Sequence, residues 1–129
     1  MKQISLFLIL ILIFSLLSNV DGFSKFTPNK KEYIEIDFQS SFYNELVYLY
    51  VNNKLVFKGM INTDPDQGFA HTVKIKKPNK EQYSIKVKIS KCDIKEQTVD
   101  SKWGFVGINY FGSTCNIEYS FSEKDFVYF

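Results

Sequence analysis

Residues 46–59, LVYLYVNNKLVFKG, constrain the fold more than any other stretch of the chain because they predict a β-hairpin. Two apolar runs flank Asn52 and Asn53. Asparagine is one of the few residues that tolerates the positive φ needed in a tight hairpin turn. The two asparagines are therefore predicted to form the turn, with one strand on each side.

This turn also predicts which residues of the hairpin lie opposite each other. Tyr50 is expected to pair with Leu55, and Tyr48 with Phe57. Side chains alternate between the two faces of a strand. One face is then predicted to carry Leu46, Tyr48, Tyr50, Leu55 and Phe57, and the other Val47, Leu49, Val51 and Val56. Both faces are mostly apolar, so we expect a core position for the hairpin, with Tyr48 and Phe57 buried, or one face presented to a partner.

Short runs of alternating apolar and polar residues continue along the chain. They cover residues 33–38, 69–76, 83–89, 102–111 and 114–121, and residues 126–129 could add a last short strand. The final two long runs predict a second hairpin about Gly112 and Ser113, which pairs Ile108 with Ile117. Short strands separated by turns are typical of an all-β fold. We predict an antiparallel β-sandwich of about 7–9 strands, with a small β-barrel as the alternative.

The first residues are predicted to be a targeting segment rather than part of the fold. Lys2 precedes an uncharged apolar run over residues 4–17, and residues 18–22 are small or polar. This pattern is typical of a cleavable secretory signal peptide, with a retained signal anchor as the alternative. We place cleavage after Gly22, so residues 1–22 are the signal peptide and residues 23–129 a single domain. The predicted location is extracellular, periplasmic or lumenal.

The cysteine count fits that location. The chain has two cysteines, Cys92 and Cys115. In an exported chain an even number of cysteines favours a disulfide. We predict that these two residues are bonded, the alternative being two reduced thiols.

Charge and composition disfavour several classes of function. The formal net charge is +2, and all 16 basic residues are lysine. Arginine is the preferred residue for bidentate contacts to phosphate and base edges, so nucleic-acid binding is not predicted. No membrane-spanning segment is predicted in the mature chain.

The residues available for catalysis or metal binding are few. His71 is the only histidine, and its strand phase predicts a place on the core side. Asn62, Asp64 and Asp66 resemble the start of a calcium loop, but a calcium site needs further oxygen ligands that the following residues lack. These residues are predicted to form a turn instead. No spacing brings two carboxylates together for hydrolysis, so we predict a protein that is not an enzyme and holds no cofactor or metal.

A cluster of lysines is predicted if two neighbouring strands pair. Lys74 and Lys76 would then share an outward face with Lys86 and Lys88. Such a basic patch could bind anionic glycans or lipid head groups. Alternatively, the lysines keep a sheet surface from pairing with another chain.

The most suggestive group of residues lies on the second hairpin. Its predicted register sends five side chains to the face opposite the core: Trp103, Phe105, Asn109, Asn116 and Glu118. Aromatic rings stack on sugar rings, while amides and carboxylates bind hydroxyl groups. These five residues, called the Trp103 surface below, are predicted to bind a ligand unless another segment covers their rings.

These observations predict a secreted, non-enzymatic binding or interaction module. Its expected partner is a glycan or an extracellular protein bound through the Trp103 surface. The alternative is a structural or envelope-associated protein that self-associates or docks a partner through an apolar face of the hairpin at residues 46–59. No family resemblance is apparent in the sequence.

Overall fold

The computed structural model describes residues 32–128, and these residues form eight β-strands in two sheets. The strands are β1 (Tyr33–Phe38), β2 (Glu45–Val51), β3 (Lys54–Ile61), β4 (His71–Lys76), β5 (Gln82–Ile89), β6 (Lys95–Asp100), β7 (Phe105–Phe111) and β8 (Asn116–Ser122). The predicted signal peptide, residues 1–22, lies outside the described residues. Within residues 32–128 no helix is long and apolar enough to cross a membrane.

Each sheet has four strands, which agrees with the predicted all-β sandwich and not with its barrel alternative. Sheet A has the order β4-β1-β7-β8, and sheet B has the order β3-β2-β5-β6. The prediction of a purely antiparallel fold is wrong at one place, because β1 and β7 pair in parallel. The chain reaches β7 by crossing from sheet B. No hairpin turn therefore sets its direction relative to β1.

The core lies between the sheets and follows the alternation seen in the sequence. Ile34, Ile36 and Phe38 on β1 are 0% exposed. Val47 and Leu49 on β2 are equally buried and belong to the same cluster. Burying a side chain of this size contributes about 1.5–3 kcal/mol. One continuous core thus joins the two sheets.

The turn of the central hairpin is confirmed. Asn52 and Asn53 both have positive φ, 48° and 65°. Positive φ at both central residues defines the turn that best matches the twist of two antiparallel strands. The pairing of Tyr50 with Leu55 is also confirmed.

Beyond that pair the predicted register is wrong by one residue because β3 contains a β-bulge. Leu49 pairs with Phe57, so Val56 is the extra residue, and Tyr48 pairs with Lys58 instead of Phe57. A bulge sends the residues after it to the opposite face. Phe57 therefore packs against the core, whereas Tyr48 lies partly buried on the outer face of sheet B.

The second hairpin also differs from its predicted register. Ile108 pairs with Tyr119 rather than Ile117, and the connecting loop covers residues 112–115. Cys115 in this loop has a φ of 51°. The shift is two residues, so the side chains within β7 and β8 keep their predicted faces. Ile108 and Ile117 are still both in the core.

Residues 123–128, called the C-terminal strap below, form no strand, so the prediction of a strand at residues 126–129 is wrong over the described part. The strap lies on the outer face of sheet A. Phe126 meets Phe105 edge-on with the ring centroids 6.4 Å apart. Tyr128 packs against Phe69 with the ring centroids 5.1 Å apart. Side chains rather than strand pairing hold the strap in place.

The predicted disulfide is present. Cys92 and Cys115 are bonded, with their Cα atoms 5.5 Å apart. Cys92 lies in the loop between β5 and β6 of sheet B, and Cys115 directly precedes β8 in sheet A. The bond therefore joins the two sheets at one end of the molecule.

Replacing Tyr83 with phenylalanine should raise the free energy of unfolding at pH 7 by about 1 kcal/mol, because a buried hydroxyl without a partner costs roughly 1–3 kcal/mol. Tyr83 is 2% exposed, and its hydroxyl has no hydrogen-bond partner among the described residues. Urea unfolding of both proteins measures the difference. Tyr110→Phe is the matched control, because the Tyr110 hydroxyl has a partner, the Cys92 sulfur at 3.3 Å. Removing that hydroxyl should not raise the free energy of unfolding. A loss of stability in Tyr83→Phe would contradict this account.

Candidate functional site

The structure does not leave Trp103 and Phe105 side by side in solvent. Phe105 is 2% exposed and lies beneath Phe126 of the C-terminal strap. Trp103 is partly buried, packs against the core and stacks with Phe121 at 6.5 Å. The predicted alternation fails here because a turn, in which the Trp103 amide donates to the Asp100 carbonyl, precedes β7. The expectation of an exposed aromatic pair is therefore wrong.

The polar members of the Trp103 surface are also engaged within the protein. The Asn109 side chain accepts a hydrogen bond from the Ser40 hydroxyl at 2.8 Å and donates one to the Gln39 side chain at 2.8 Å. Asn116 and Glu118 are exposed on β8, where the Asn116 amide donates to the Glu118 carboxylate at 3.5 Å. Of the five residues, Asn116 and Glu118 are exposed, whereas Trp103 packs against the core and Phe105 is buried. The five residues therefore form no open aromatic site.

A buried polar cluster under the C-terminal strap explains why this surface is closed. The Tyr128 hydroxyl donates to the Asp37 carboxylate at 2.6 Å and accepts from the Gln39 amide at 3.0 Å. Thr72 donates to the second Asp37 oxygen at 2.8 Å. Burial, together with the hydrogen bond to Asp37, raises the pKa of Tyr128 above its ordinary value. The cluster is internally satisfied, which suits a structural anchor better than a reactive site.

The predicted basic patch is divided between the two sheets. Lys74 and Lys76 lie on β4 in sheet A, whereas Lys86 and Lys88 lie on β5 in sheet B. The condition for a shared patch, pairing of these two strands, is not met because the loop between β4 and β5 crosses from one sheet to the other. Lys74 instead lies 4.0 Å from Glu35, its partner on β1.

The lysines of β5 contribute to a different surface, the outer face of sheet B. We call this surface the tyrosine face, and its members are Leu46, Tyr48, Tyr50, Leu55, Lys58, Met60, Lys86 and Lys88. Tyr48 is flanked by Lys58 on β3 and Lys88 on β5, while Tyr50 is flanked by Leu55 and Lys86. Tyr48 thus has a lysine on both sides, and Tyr50 has a lysine on one side and a leucine on the other.

Exposure and charge distinguish this face from the rest of the sheet surfaces. Leu55 is 46% exposed and Met60 is 61% exposed, although both are large apolar side chains. The Lys58 ammonium lies 5.2 Å from the centroid of the Tyr48 ring. Among the described residues the one ion pair involves Lys74, so neither Lys58 nor Lys88 lies within 4 Å of a carboxylate there. Lys86 lies opposite Glu96 of β6, so the face combines apolar contact area with positive charge centred on Lys58 and Lys88.

The remaining predicted candidates have structural roles. The Asp64 carboxylate accepts from the backbone amides of Asp66 at 2.8 Å and Gln67 at 3.3 Å, which confirms the predicted turn. His71 stacks on Phe57 with ring centroids 4.5 Å apart. Within the part of the chain that the structure describes, no group of three or more His, Cys, Asp or Glu residues is placed to hold a metal ion.

Sequence reasoning placed Tyr48, Tyr50 and Leu55 together on one face, as core or as a face presented to a partner, and did not decide between the two. A signal for the surface was available, because Lys58, Lys86 and Lys88 occupy positions that alternate with the buried residues of β3 and β5. Lysines on both neighbours of a strand indicate that the shared face meets solvent. That signal becomes readable only when β2 is known to lie between β3 and β5.

Comparison of the chain with protein-family models, curated proteins and solved structures found no match. Assignment of a function therefore depends on the geometry and chemistry of the surfaces described above.

Proposed function

We propose that the protein is a secreted, non-enzymatic interaction module that docks an acidic protein partner through the tyrosine face. The observation that carries this proposal is the pair of central tyrosines with exposed aliphatic side chains next to them and lysines around them. Tyrosine and methionine are enriched in the centres of protein interfaces, and charged residues are typical of the rim. The location rests on the predicted signal peptide and on the disulfide, which is typical of oxidising compartments.

The chemistry of this face favours a protein over a neutral saccharide. Exposed Leu55 and Met60 offer apolar contact area that suits the side chains of a protein. The side chains that flank Tyr48 are cationic, so carboxylates of a partner would complement them. Saccharide binding through Trp103 stays a prediction, and it is less well supported because Phe105 is covered.

Positive charge also makes a second copy an unsuitable occupant of the tyrosine face. Face-to-face packing of two copies would bring Lys58, Lys86 and Lys88 of one copy against the same lysines of the other. Like charges brought together at an interface cost several kcal/mol. Of the two forms of docking through the hairpin at residues 46–59, binding of an acidic partner is therefore favoured over self-association.

A retention experiment with extracellular fluid from the producing organism tests the proposal. Unsubstituted protein and Tyr48→Ala/Tyr50→Ala protein are immobilised, retained proteins are identified, and one is purified for affinity measurement. Central aromatic residues of an interface cost about 2 kcal/mol or more when truncated, so we expect at least about a thirtyfold weaker affinity. Rising salt should also weaken binding, because exposed charges are screened.

Lys74→Ala/Lys76→Ala is the matched control, because it removes two exposed lysines from the other sheet. It should bind the purified partner as the unsubstituted protein does. Equal affinity of the Tyr48→Ala/Tyr50→Ala protein would show that the partner binds elsewhere. If the unsubstituted protein binds to a glycan array and the Tyr48→Ala/Tyr50→Ala protein does not, a saccharide ligand at this face is favoured instead.

A further inference from the structure

The four edge strands of the two sheets differ in how well they are protected from pairing with another chain. An edge strand exposes backbone N–H and C=O groups, and natural proteins guard it with lysine, proline or a bulge. The edges are β3 and β6 in sheet B, and β4 and β8 in sheet A. Three of them carry lysine, at Lys54, Lys74 and Lys95 among other positions, and β3 also has a bulge.

Strand β8 is the exception. Its sequence, NIEYSFS, contains one charged residue, Glu118, and no lysine or proline. Its pairing with β7 runs over seven residues without a register shift, so the edge is regular. Among the described residues, β7 supplies all the strand pairing of β8. The free side of β8 is thus a seven-residue strand edge with little to prevent pairing.

Partly buried aromatic side chains lie beside this edge. Tyr119 and Phe121 belong to β8, and Trp103 stacks on Phe121. All three pack against the core yet keep part of their surface in solvent. A strand added to β8 would cover apolar surface as well as satisfy backbone groups.

We propose that β8 pairs antiparallel with β8 of a second copy, so that sheet A continues across a twofold dimer. Two identical strands that pair antiparallel are related by a twofold axis, so each copy contributes the same residues to the interface. The midpoint of Asn116–Ser122 is Tyr119, so all seven residues pair when the axis passes through Tyr119. The small net charge of +2 does little to oppose association.

This register is also favourable in charge and in packing. Glu118 of one copy lies opposite Ser120 of the other, and Ile117 lies opposite Phe121. With the axis at Glu118 instead, the two carboxylates would face each other, and like charges directly opposite are destabilising. The proposal does not depend on the tyrosine face, which lies on the other sheet and remains free in the dimer.

The register identifies Ser120 as the position for a test by charge. Ser120→Glu places a second carboxylate opposite Glu118 of the other copy, whereas Ser120→Lys places a cation there. Both side chains are long, and Ser120 pairs with Gly107 in its own copy, so the two variants have similar packing demands. The charge pair occurs twice in the dimer and is repulsive in Ser120→Glu but attractive in Ser120→Lys, so we expect the dimer of Ser120→Glu to be about tenfold weaker than that of Ser120→Lys.

Light scattering after gel filtration, over a range of protein concentrations, measures the mass of each variant. We expect a dimer of the unsubstituted protein that Ser120→Glu weakens and Ser120→Lys preserves or strengthens. Trp103 is the only tryptophan, so its fluorescence should shift to shorter wavelength as the dimer forms. A monomer at every concentration up to about 1 mM would overturn the proposal, because it leaves less than about 4.1 kcal/mol for association.

Two further results keep the test decisive. If the Ser120 variants do not fold, hydrogen exchange of the unsubstituted protein at low and high concentration decides, and slower exchange confined to β8 is expected. If both Ser120 substitutions leave the dimer as stable as that of the unsubstituted protein while Tyr48→Ala/Tyr50→Ala dissociates it, the assignment of the interface to β8 is overturned. Failure of partner binding at the tyrosine face would leave the β8 dimer unaffected, so the two proposals are separately testable.

Discussion

Phe38→Ala should lower the free energy of unfolding by about 3–5 kcal/mol, the range for truncation of a buried phenylalanine. Phe38 is 0% exposed and lies on β1, in the middle of sheet A. Its ring meets Phe42 edge-on at 5.6 Å and lies 6.0 Å from the ring of Phe57 on sheet B. The side chain therefore contacts residues of both sheets, and alanine would leave a cavity between them. Such a loss is a large part of the roughly 5–15 kcal/mol that stabilises a typical domain.

Urea unfolding followed by circular dichroism measures this effect, and Tyr48→Ala is the control. Tyr48 also lies on the central part of a sheet, but it faces solvent beside Lys58. Its truncation should cost about 1 kcal/mol, the span of strand propensity. Equal losses in the two variants would mean that Tyr48 is part of the core and that the bulge in β3 is misplaced.

Removal of the Cys92–Cys115 disulfide should cost about 3 kcal/mol. A cross-link stabilises mainly by restricting the unfolded chain, and the two cysteines are 23 residues apart in sequence. Here the bond also joins a loop of sheet B to a loop of sheet A, so its loss frees the two sheets at that end. The Cys92→Ala/Cys115→Ala variant should unfold at a distinctly lower temperature than the unsubstituted protein.

Comparison of reduced and oxidised protein provides the control for this substitution. Reduction of the unsubstituted protein should reproduce most of the loss and should leave the double variant unchanged. Alkylation of the folded, unreduced protein should label neither cysteine. Labelling of both residues under those conditions would contradict the disulfide.

Local patterns in the sequence predicted much of the fold. Alternation placed β1 at residues 33–38, and the two asparagines predicted the central turn. Both signals act between residues close in the chain, where side-chain period and backbone preference decide the structure. By contrast β6, KEQTVD, is an edge strand whose one buried apolar side chain is Val99. Without a second inward residue, no alternation was visible there.

The remaining differences come from contacts between distant parts of the chain. Val56 is the extra residue of a bulge that no glycine or proline marks in the sequence. Cys115 has positive φ in a loop closed by the disulfide, although cysteine is not a residue that favours this conformation. Phe105 is covered by Phe126, 21 positions later, and Tyr128 bonds to Asp37. The Trp103 surface was therefore predicted to be open because the segment that covers Phe105, the C-terminal strap, is distant in the sequence.

The parallel pairing of β1 with β7 also restricts the order in which the chain can fold. Strand β1 is the first strand of the fold, yet it lies between β4 and β7, so sheet A is incomplete until residues 105–111 are available. Strands β2 and β3, by contrast, pair through the tight hairpin, whereas Glu35 of β1 and its partner Phe105 of β7 are 70 positions apart. Contacts between distant residues form slowly because the loop-closure entropy is lost before they are made. We therefore expect the hairpin of β2 and β3 to become protected from hydrogen exchange first during refolding, and the β1 amides that pair with β7 only after the C-terminal third of the chain has joined β1.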